Sequence, residues 1–150
     1  MGMFDTVFLR RPLPAPEPRL SPPLLEELRA TVELSGLQTK DMECLLDKYV
    51  IHADGRLERE SREWFHTPLF ARPEMVDFHG RLHCCTVFVP RTHPTISLYV
   101  EYTFKFTDGV LVEVENPRLR CLDPSVDLRE ILDPAGPAVN DDNFDRADHT

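Results

Sequence analysis

Residues 97–115 read Ser-Leu-Tyr-Val-Glu-Tyr-Thr-Phe-Lys-Phe, then Thr-Asp-Gly, then Val-Leu-Val-Glu-Val-Glu, and this stretch decides the fold. Apolar residues occupy every second position from Leu98 to Phe106, which is the period of a β-strand with one buried face. A second alternating run covers 110–115, and the Asp-Gly dipeptide between the two runs is typical of a hairpin turn. The stretch therefore predicts two antiparallel strands.

The length of the turn decides which side chains of this hairpin share a face. A two-residue loop pairs Phe106 with Leu111 and Phe104 with Glu113, which puts acidic side chains on the apolar face. A three-residue loop pairs Phe104 with Val112 and ends in a left-handed residue, which suits Gly109. We therefore expect the three-residue loop, with three valines on the buried face: Val110, Val112 and Val114.

A second hairpin is predicted from strands at 48–52 and 56–59, which flank Ala-Asp-Gly at 53–55. The same turn design places Ile51 opposite Leu57, so both hairpins are expected to share one turn.

A third hairpin is predicted from 75–78 and 82–89, joined around His-Gly-Arg at 79–81. The run 82–89 is apolar at both odd and even positions, which is expected of a central strand covered on both faces. Residues 64–73 contain two prolines and are predicted to form a loop.

The N-terminal part is predicted to contain a strand at 3–10 and a connector at 11–23. Six prolines lie between Pro12 and Pro23, so the connector is expected to run as an extended polyproline-like segment outside any ladder. A helix of two to three turns follows, with Ser21 as its N-cap and Gly36 closing it. Its apolar stripe comprises Leu24, Leu25 and Leu28.

These elements predict an α+β fold leaning all-β: an antiparallel meander of hairpins packed by one or two short helices. The second helix is expected at 126–132 after Asp123-Pro124. We expect one β-rich domain at 1–135 and an acidic flexible tail at 136–150.

Acidic residues concentrate at the C-terminal end. The formal charge of the chain is −9, of which residues 123–150 carry −6 through eight acids and two bases. Such a segment repels phosphates and anionic lipids, and arginines at 56–62 alternate with glutamates, so we expect no nucleic-acid or membrane partner. The sequence shows neither a hydrophobic span nor a secretory signal, and a cytoplasmic location is expected.

Histidine and cysteine cluster at 79–85, where a metal site would be sought first. Zinc prefers four nitrogen or sulfur ligands, often in C-x₂-C pairs, and no such pair occurs. Adjacent Cys84 and Cys85 should point to opposite faces of a strand. The weak candidates are His79, His83 and Cys85, and we expect no metal and no cofactor.

Catalytic motifs are equally sparse, and no catalytic residue is assigned. The six glycines are scattered, so no phosphate-binding loop can be drawn. A cysteine nucleophile with a histidine that meets it in space stays open as an alternative.

Aromatic surface residues are the candidates for partner binding. Trp64, Phe65 and His66 lie among prolines, and Tyr99 lies on the polar face of its strand. Tryptophan and tyrosine are enriched at interface hot spots. The three residues at 64–66 can equally fold back as a lid over one end of the sheet.

Three segments carry a resemblance. The opening Met1-Gly2-Met3-Phe4-Asp5, the segment Leu37-Gln38-Thr39-Lys40-Asp41 and the Asp54-Gly55-Arg56-Leu57 hairpin resemble a group of small bacterial and phage proteins whose functions are uncharacterised. The resemblance spans residues 1–115. It implies a compact sheet domain and a bacterial or phage setting, and it implies no activity.

Three hypotheses for function follow. The first is a small non-enzymatic binding protein that acts by protein–protein contact, one version being an inhibitor of a host protein. The second is a small metal-dependent or cysteine/histidine hydrolase. The third is a structural subunit of a larger assembly that pairs sheet edges.

Overall fold

A computed structural model describes residues 4–42, 47–60, 63–64, 67–68, 74–122 and 131–132. In these ranges the chain forms one helix and ten strands. In chain order the elements are β1 (Asp5–Leu9), α1 (Pro22–Ser35), β2 (Leu37–Thr39), β3 (Lys48–Ile51), β4 (Leu57–Arg59), β5 (Glu63–Trp64), β6 (Thr67–Pro68), β7 (Glu74–Met75), β8 (Gly80–Phe88), β9 (Leu98–Thr107) and β10 (Val110–Cys121).

Eight strands form one sheet in the order β10-β9-β8-β2-β1-β3-β4-β7, and β5 pairs with β6 separately. The predicted fold class is confirmed, because the described chain is mostly antiparallel sheet with a single helix. Strands β8, β9 and β10 form a meander. One pair is parallel, β1 with β3, and β2 lies between β1 and β8.

The connector after β1 forms no strand, in line with the expectation that it stays outside any ladder, but two of its residues make isolated bridges. The Glu17 amide donates to the Pro117 carbonyl at 2.9 Å, and the Leu119 amide donates to the Glu17 carbonyl at 2.9 Å. Leu20 forms a second bridge, with Leu132. Glu17 and Leu20 are not prolines, so they keep the backbone N–H that pairing requires.

Helix α1 is longer than predicted, with 14 residues. Its buried stripe is Leu24, Leu28 and Val32, spaced four residues apart. Ser21 occupies the N-cap position, although its side chain makes no capping hydrogen bond. Gly36 ends the helix as expected, with a φ of 71°. A Cβ on Gly36 would lie 2.6 Å from the Thr6 methyl group, so glycine also lets the helix end approach β1.

The hairpin of β3 and β4 matches its prediction. Ile51 lies opposite Leu57. The His52 amide donates to the Arg56 carbonyl, and the Gly55 amide donates to the His52 carbonyl, both at 2.9 Å. Gly55 has a φ of 92°. These bonds define a three-residue loop that ends in a left-handed glycine.

The hairpin of β9 and β10 has a two-residue loop, so the predicted three-residue loop is wrong. Thr107 pairs with Val110 and Phe106 with Leu111. Asp108 and Gly109 have φ values of 49° and 80°, the signs required by a type I′ turn.

A β-bulge resolves the conflict between register and hydrophobicity. The register shifts between Leu111 and Glu113, so Val112 is the extra residue and Phe104 pairs with Val114. Leu111 is therefore buried, while Val110 and Val112 are exposed, contrary to the predicted inward valines. The predicted alternation of β9 is confirmed, since its even-numbered residues from Leu98 to Phe106 are all buried.

The predicted hairpin between 75–78 and 82–89 does not form. Strand β7 pairs with β4, whereas β8 pairs with β2 and β9. Strand β8 is also covered on one face rather than two: Leu82, Cys84 and Phe88 are buried, while His83 and Val87 are exposed. We call the covered side of β8, β9 and β10 the inner face and the other side the outer face.

Two distant turns contact each other at one end of the sheet. The Leu57 amide donates to the Gly109 carbonyl at 3.0 Å, and the Leu111 amide donates to the Gly55 carbonyl at 2.8 Å. The Gly109 amide donates to the Phe78 carbonyl at 2.8 Å. These bonds join the β3–β4 turn to the β9–β10 turn, and we call this contact the turn junction.

The core lies between the inner face and α1, which packs against β1 and β8. Tyr102 and Phe104 stack with ring centroids 6.0 Å apart, and Phe78 meets Phe106 edge-on at 5.8 Å. Asp5 is fully buried, and its carboxylate accepts the Asp47 amide at 2.9 Å, so that charge is hydrogen-bonded.

Several expectations fall wholly or partly outside the described residues. The predicted 126–132 helix lies there except for its last two residues, and so does the 136–150 tail. Within the predicted loop at 64–73, Trp64 pairs with Thr67 in the β5–β6 ladder, and the remaining positions except Pro68 are outside the description.

Candidate functional site

The three weak metal candidates do not come together. His83 and Cys85 lie on the outer face of β8, two residues apart. His79 precedes the strand, and its Nδ1 lies 3.9 Å from an Asp108 carboxylate oxygen at the β9–β10 turn. In the described residues no group of three or more His, Cys, Asp or Glu side chains could hold a metal ion.

His83 has a partner that sequence spacing did not reveal. Its Nδ1 lies 2.8 Å from Asp41 Oδ2, and its backbone amide donates to the same oxygen at 2.6 Å. Asp41 is itself positioned by Thr39, whose hydroxyl oxygen accepts the Asp41 amide at 3.2 Å. The two residues are 42 positions apart, and the pairing of β2 with β8 brings them together.

The two adjacent cysteines have opposite environments, as expected. Cys84 faces the core, and burial raises the pKa of its thiol far above the usual value, so Cys84 stays protonated and unreactive. Cys85 faces outward and is half-buried. Desolvation by burial, together with a side-chain interaction with Cys85, raises the pKa of Tyr99.

Apolar side chains collect at one end of the outer face. Val87 pairs with Tyr99, which pairs with Arg120 of β10. Val89 and Leu122 directly follow the last residues of β8 and β10, which both pair with Leu98, so they lie at the same end of the sheet. The exposed fractions are 53% for Val87, 46% for Val89 and 38% for Leu122. We call Val87, Val89, Tyr99 and Leu122 the outer patch.

Two ion pairs lie elsewhere on the outer face. Arg120 Nη1 lies 3.1 Å from Glu101 Oε1 beside the outer patch. Farther along, Arg81 Nε lies 3.0 Å from both carboxylate oxygens of Glu115. The hydrogen bond from Arg81 lowers the pKa of Glu115. The Arg120–Glu101 pair therefore borders the outer patch, and the Arg81–Glu115 pair lies toward the other end of the strands.

Of the predicted partner-binding residues, the structure describes the surroundings of Tyr99 alone. Tyr99 belongs to the outer patch, half-buried beside Val87. The backbone of Trp64 lies in β5, and Phe65 and His66 are outside the described residues. Sequence reasoning missed Val87 and Val89, because the apolar run 82–89 was interpreted as a strand buried on both faces, and it made no prediction for Leu122.

Comparison with known proteins adds no assignment. No protein-family model matches this chain, and no curated protein and no solved structure matches it either. In the described residues, the helix falls short of the length and apolar character needed to span a membrane.

Proposed function

We propose that this chain is a small non-enzymatic binding protein that acts by protein–protein contact. The observation that supports the proposal is the outer patch, where the exposed Val87 lies opposite the half-buried Tyr99 and the exposed Val89 and Leu122 follow at the same end of the sheet. Burial of apolar surface is the main driving force of association, and clustered exposed apolar side chains often mark an interaction site.

The chemistry of the outer patch defines the partner surface. An interface of this kind has an apolar centre and a polar rim. Here the Arg120–Glu101 pair forms part of the rim. The partner is a protein with an apolar contact surface that packs on Val87 and Tyr99.

We place this contact in the cytoplasm of a bacterium or of a phage-infected bacterium. The support is the resemblance of the 1–5, 37–41 and 54–57 segments to small bacterial and phage proteins. In that setting, one version of the function is inhibition of a host protein, with the outer patch covering a surface that the host protein uses.

The experiment compares two substitutions that each add one charge to an exposed aliphatic position. Val87→Asp lies in the outer patch, and Leu34→Asp lies on α1, where Leu34 is 83% exposed. Affinity capture from bacterial lysate is quantified by mass spectrometry for wild type and both variants. A partner that packs on the outer patch is recovered with wild type and Leu34→Asp, and its recovery falls about tenfold with Val87→Asp.

Circular dichroism confirms that both variants fold before they are compared. Equal recovery with the two variants contradicts the outer patch as the contact surface. The absence of any protein above background with wild type contradicts the binding function itself.

The contact between Asp41 and His83 favours a second candidate, a small cysteine/histidine hydrolase. A carboxylate that holds one imidazole nitrogen orients the other toward a nucleophile, and Cys85 lies two residues along the same face. Hydrolysis of p-nitrophenyl acetate tests this candidate. Cys85→Ser and His83→Ala should each abolish turnover, while His79→Ala, at an exposed histidine away from Cys85, should retain it. Equal rates for all variants contradict this candidate.

A further inference from the structure

A groove runs between the end of β1 and helix α1, away from the outer face. Its volume is about 580 Å³, within the range of sites that bind small molecules. One wall is the chain from Leu9 to Leu13, and the other is formed by α1 side chains: Glu26, Arg29, Val32 and Glu33.

Hydrogen bonds hold the first wall in place. The Arg10 amide donates to the Ile51 carbonyl at 2.9 Å, and Arg29 Nε donates to the Leu13 carbonyl at 3.2 Å. Just beyond the groove, the Tyr102 hydroxyl donates to the Pro14 carbonyl at 2.9 Å. The groove is therefore fixed by β3, α1 and β9, and a ligand need not organise it.

Positive charge in the groove stands out in an acidic chain. Arg29 Nη1 lies 3.1 Å from Glu26 Oε1, so that pair is neutral. Arg10 and Arg11 are exposed, and no ion pair joins either of them to a carboxylate of the described chain. Glu33 is the remaining acidic side chain of the lining, which leaves a net charge of +1. The guanidinium group suits a carboxylate because it can donate two parallel hydrogen bonds.

The groove also has an apolar floor. Leu9 and Pro12 supply accessible apolar surface, and Leu13 and Val32 are buried beneath them. We propose that this groove binds an organic carboxylate with an aliphatic body: Arg10 and Arg11 bind the carboxylate, and the aliphatic part packs on Leu9 and Pro12. This site is separate from the outer patch and does not depend on the function proposed for that patch.

Calorimetric titration of the full chain with three probes tests the proposal. Octanoate has both the carboxylate charge and the aliphatic chain, octanamide has the chain without the charge, and acetate has the charge without the chain. Octanoate should bind saturably at millimolar concentration, and each of the other probes should bind about tenfold more weakly or not at all.

Two variants locate the site. Arg10→Gln combined with Arg11→Gln should weaken octanoate binding about tenfold. Arg91→Gln removes an arginine that is exposed elsewhere, with its Nε 3.8 Å from Glu27, and should leave octanoate binding unchanged. The proposal is overturned if octanoate fails to bind, if octanamide binds equally well, or if the Arg10/Arg11 variant retains wild-type affinity. None of these outcomes bears on the protein–protein contact proposed for the outer patch, which the Val87→Asp capture experiment tests separately.

Discussion

The β3–β4 and β9–β10 hairpins contain the same Asp-Gly dipeptide and form different turns. In the first, Asp54 and Gly55 belong to a three-residue loop closed by the left-handed Gly55. In the second, Asp108 and Gly109 form the whole loop, and both have positive φ. The dipeptide alone therefore does not determine the turn type.

The turn junction accounts for the difference. In the two-residue form, the Gly109 amide donates to Phe78 and the Gly109 carbonyl accepts from Leu57. An unpaired buried backbone group costs about 1–3 kcal/mol, so these distant bonds can outweigh a local preference. The bulge at Val112 then restores the buried face beyond the turn. Long-range contacts thus select among locally acceptable turns.

The largest expected effect is a difference in stability between alanine substitutions at the two glycines of the turn junction, Gly109 and Gly55. In Gly109→Ala, the alanine must adopt a positive φ, and its Cβ would lie 2.5 Å from the Val76 carbonyl oxygen. We expect the free energy of unfolding to fall by about 3 kcal/mol, from backbone strain and from the displacement of Val76. Gly55→Ala shares the φ strain but places its Cβ 3.1 Å from the Leu111 carbonyl oxygen, so we expect about 1.5 kcal/mol. Urea unfolding of both variants measures the difference.

Gly80→Ala is the matched control, because Gly80 also has a positive φ, of 131°, but an added Cβ meets nothing within 4 Å; it should cost only the φ strain, about 1.5 kcal/mol. If Gly55→Ala costs as much as Gly109→Ala, the close approach of Val76 has no energetic weight, and the comparison between the two turns fails.

The next effect tests the bulge. Leu111→Ala removes a buried side chain and should destabilise the chain by about 2–3 kcal/mol. Val112→Ala removes a side chain that is 57% exposed and should cost less than about 0.5 kcal/mol. A three-residue loop with inward valines predicts the reverse order. Urea midpoints of the two variants therefore discriminate between the two registers directly.

The smallest effect concerns Asp54 and depends on pH. Its carboxylate accepts the Arg56 amide at 3.1 Å and Arg56 Nε at 2.8 Å, and the backbone bond is the main reason that the pKa of Asp54 is lowered. Because the pKa of Asp54 is lower in the folded state than its ordinary value of 3.8, the ionised carboxylate stabilises the fold at pH values above 3.8. This stabilisation is lost as the pH falls through the pKa of the folded state. The stability difference between wild type and Asp54→Asn should therefore shrink from about pH 7 to about pH 2.5.

A carbon-detected NMR titration of the Asp54 carboxyl checks the same point without a substitution. Its midpoint should lie below that of the same residue in urea-unfolded chain. A midpoint at or above the unfolded value contradicts a stabilising role for the Asp54–Arg56 contact.

Much of the fold could be predicted from local patterns. Alternation identified the buried face of β9, and Ile51 opposite Leu57 followed from the turn residues. The errors arose where non-local pairing decides the outcome. Strand β7 pairs with β4 rather than β8, and Glu17 forms backbone hydrogen bonds with β10. Neither pairing changes the hydrophobic periodicity of the sequence, so neither could be predicted from it.

The candidate site was less predictable than the fold. Tyr99 was selected for its place on the polar face of a strand, which the register confirms. Val87 was assigned to a strand covered on both faces, because hydrophobicity alone does not distinguish a buried position from an exposed one. Asp41 reaches His83 through the neighbouring strand β2, and a separation of 42 residues hides that contact from motif reasoning.

The turn junction also has a consequence for how the protein opens. Gly55 and Leu111 are more than fifty positions apart in the chain, yet their backbones share a hydrogen bond. The Leu57–Gly109 and Leu111–Gly55 hydrogen bonds join the same two turns, so a motion that separates the turns breaks both bonds. In native-state hydrogen exchange the Leu57 and Leu111 amides should therefore become deuterated at matching rates, as members of one cooperative unit.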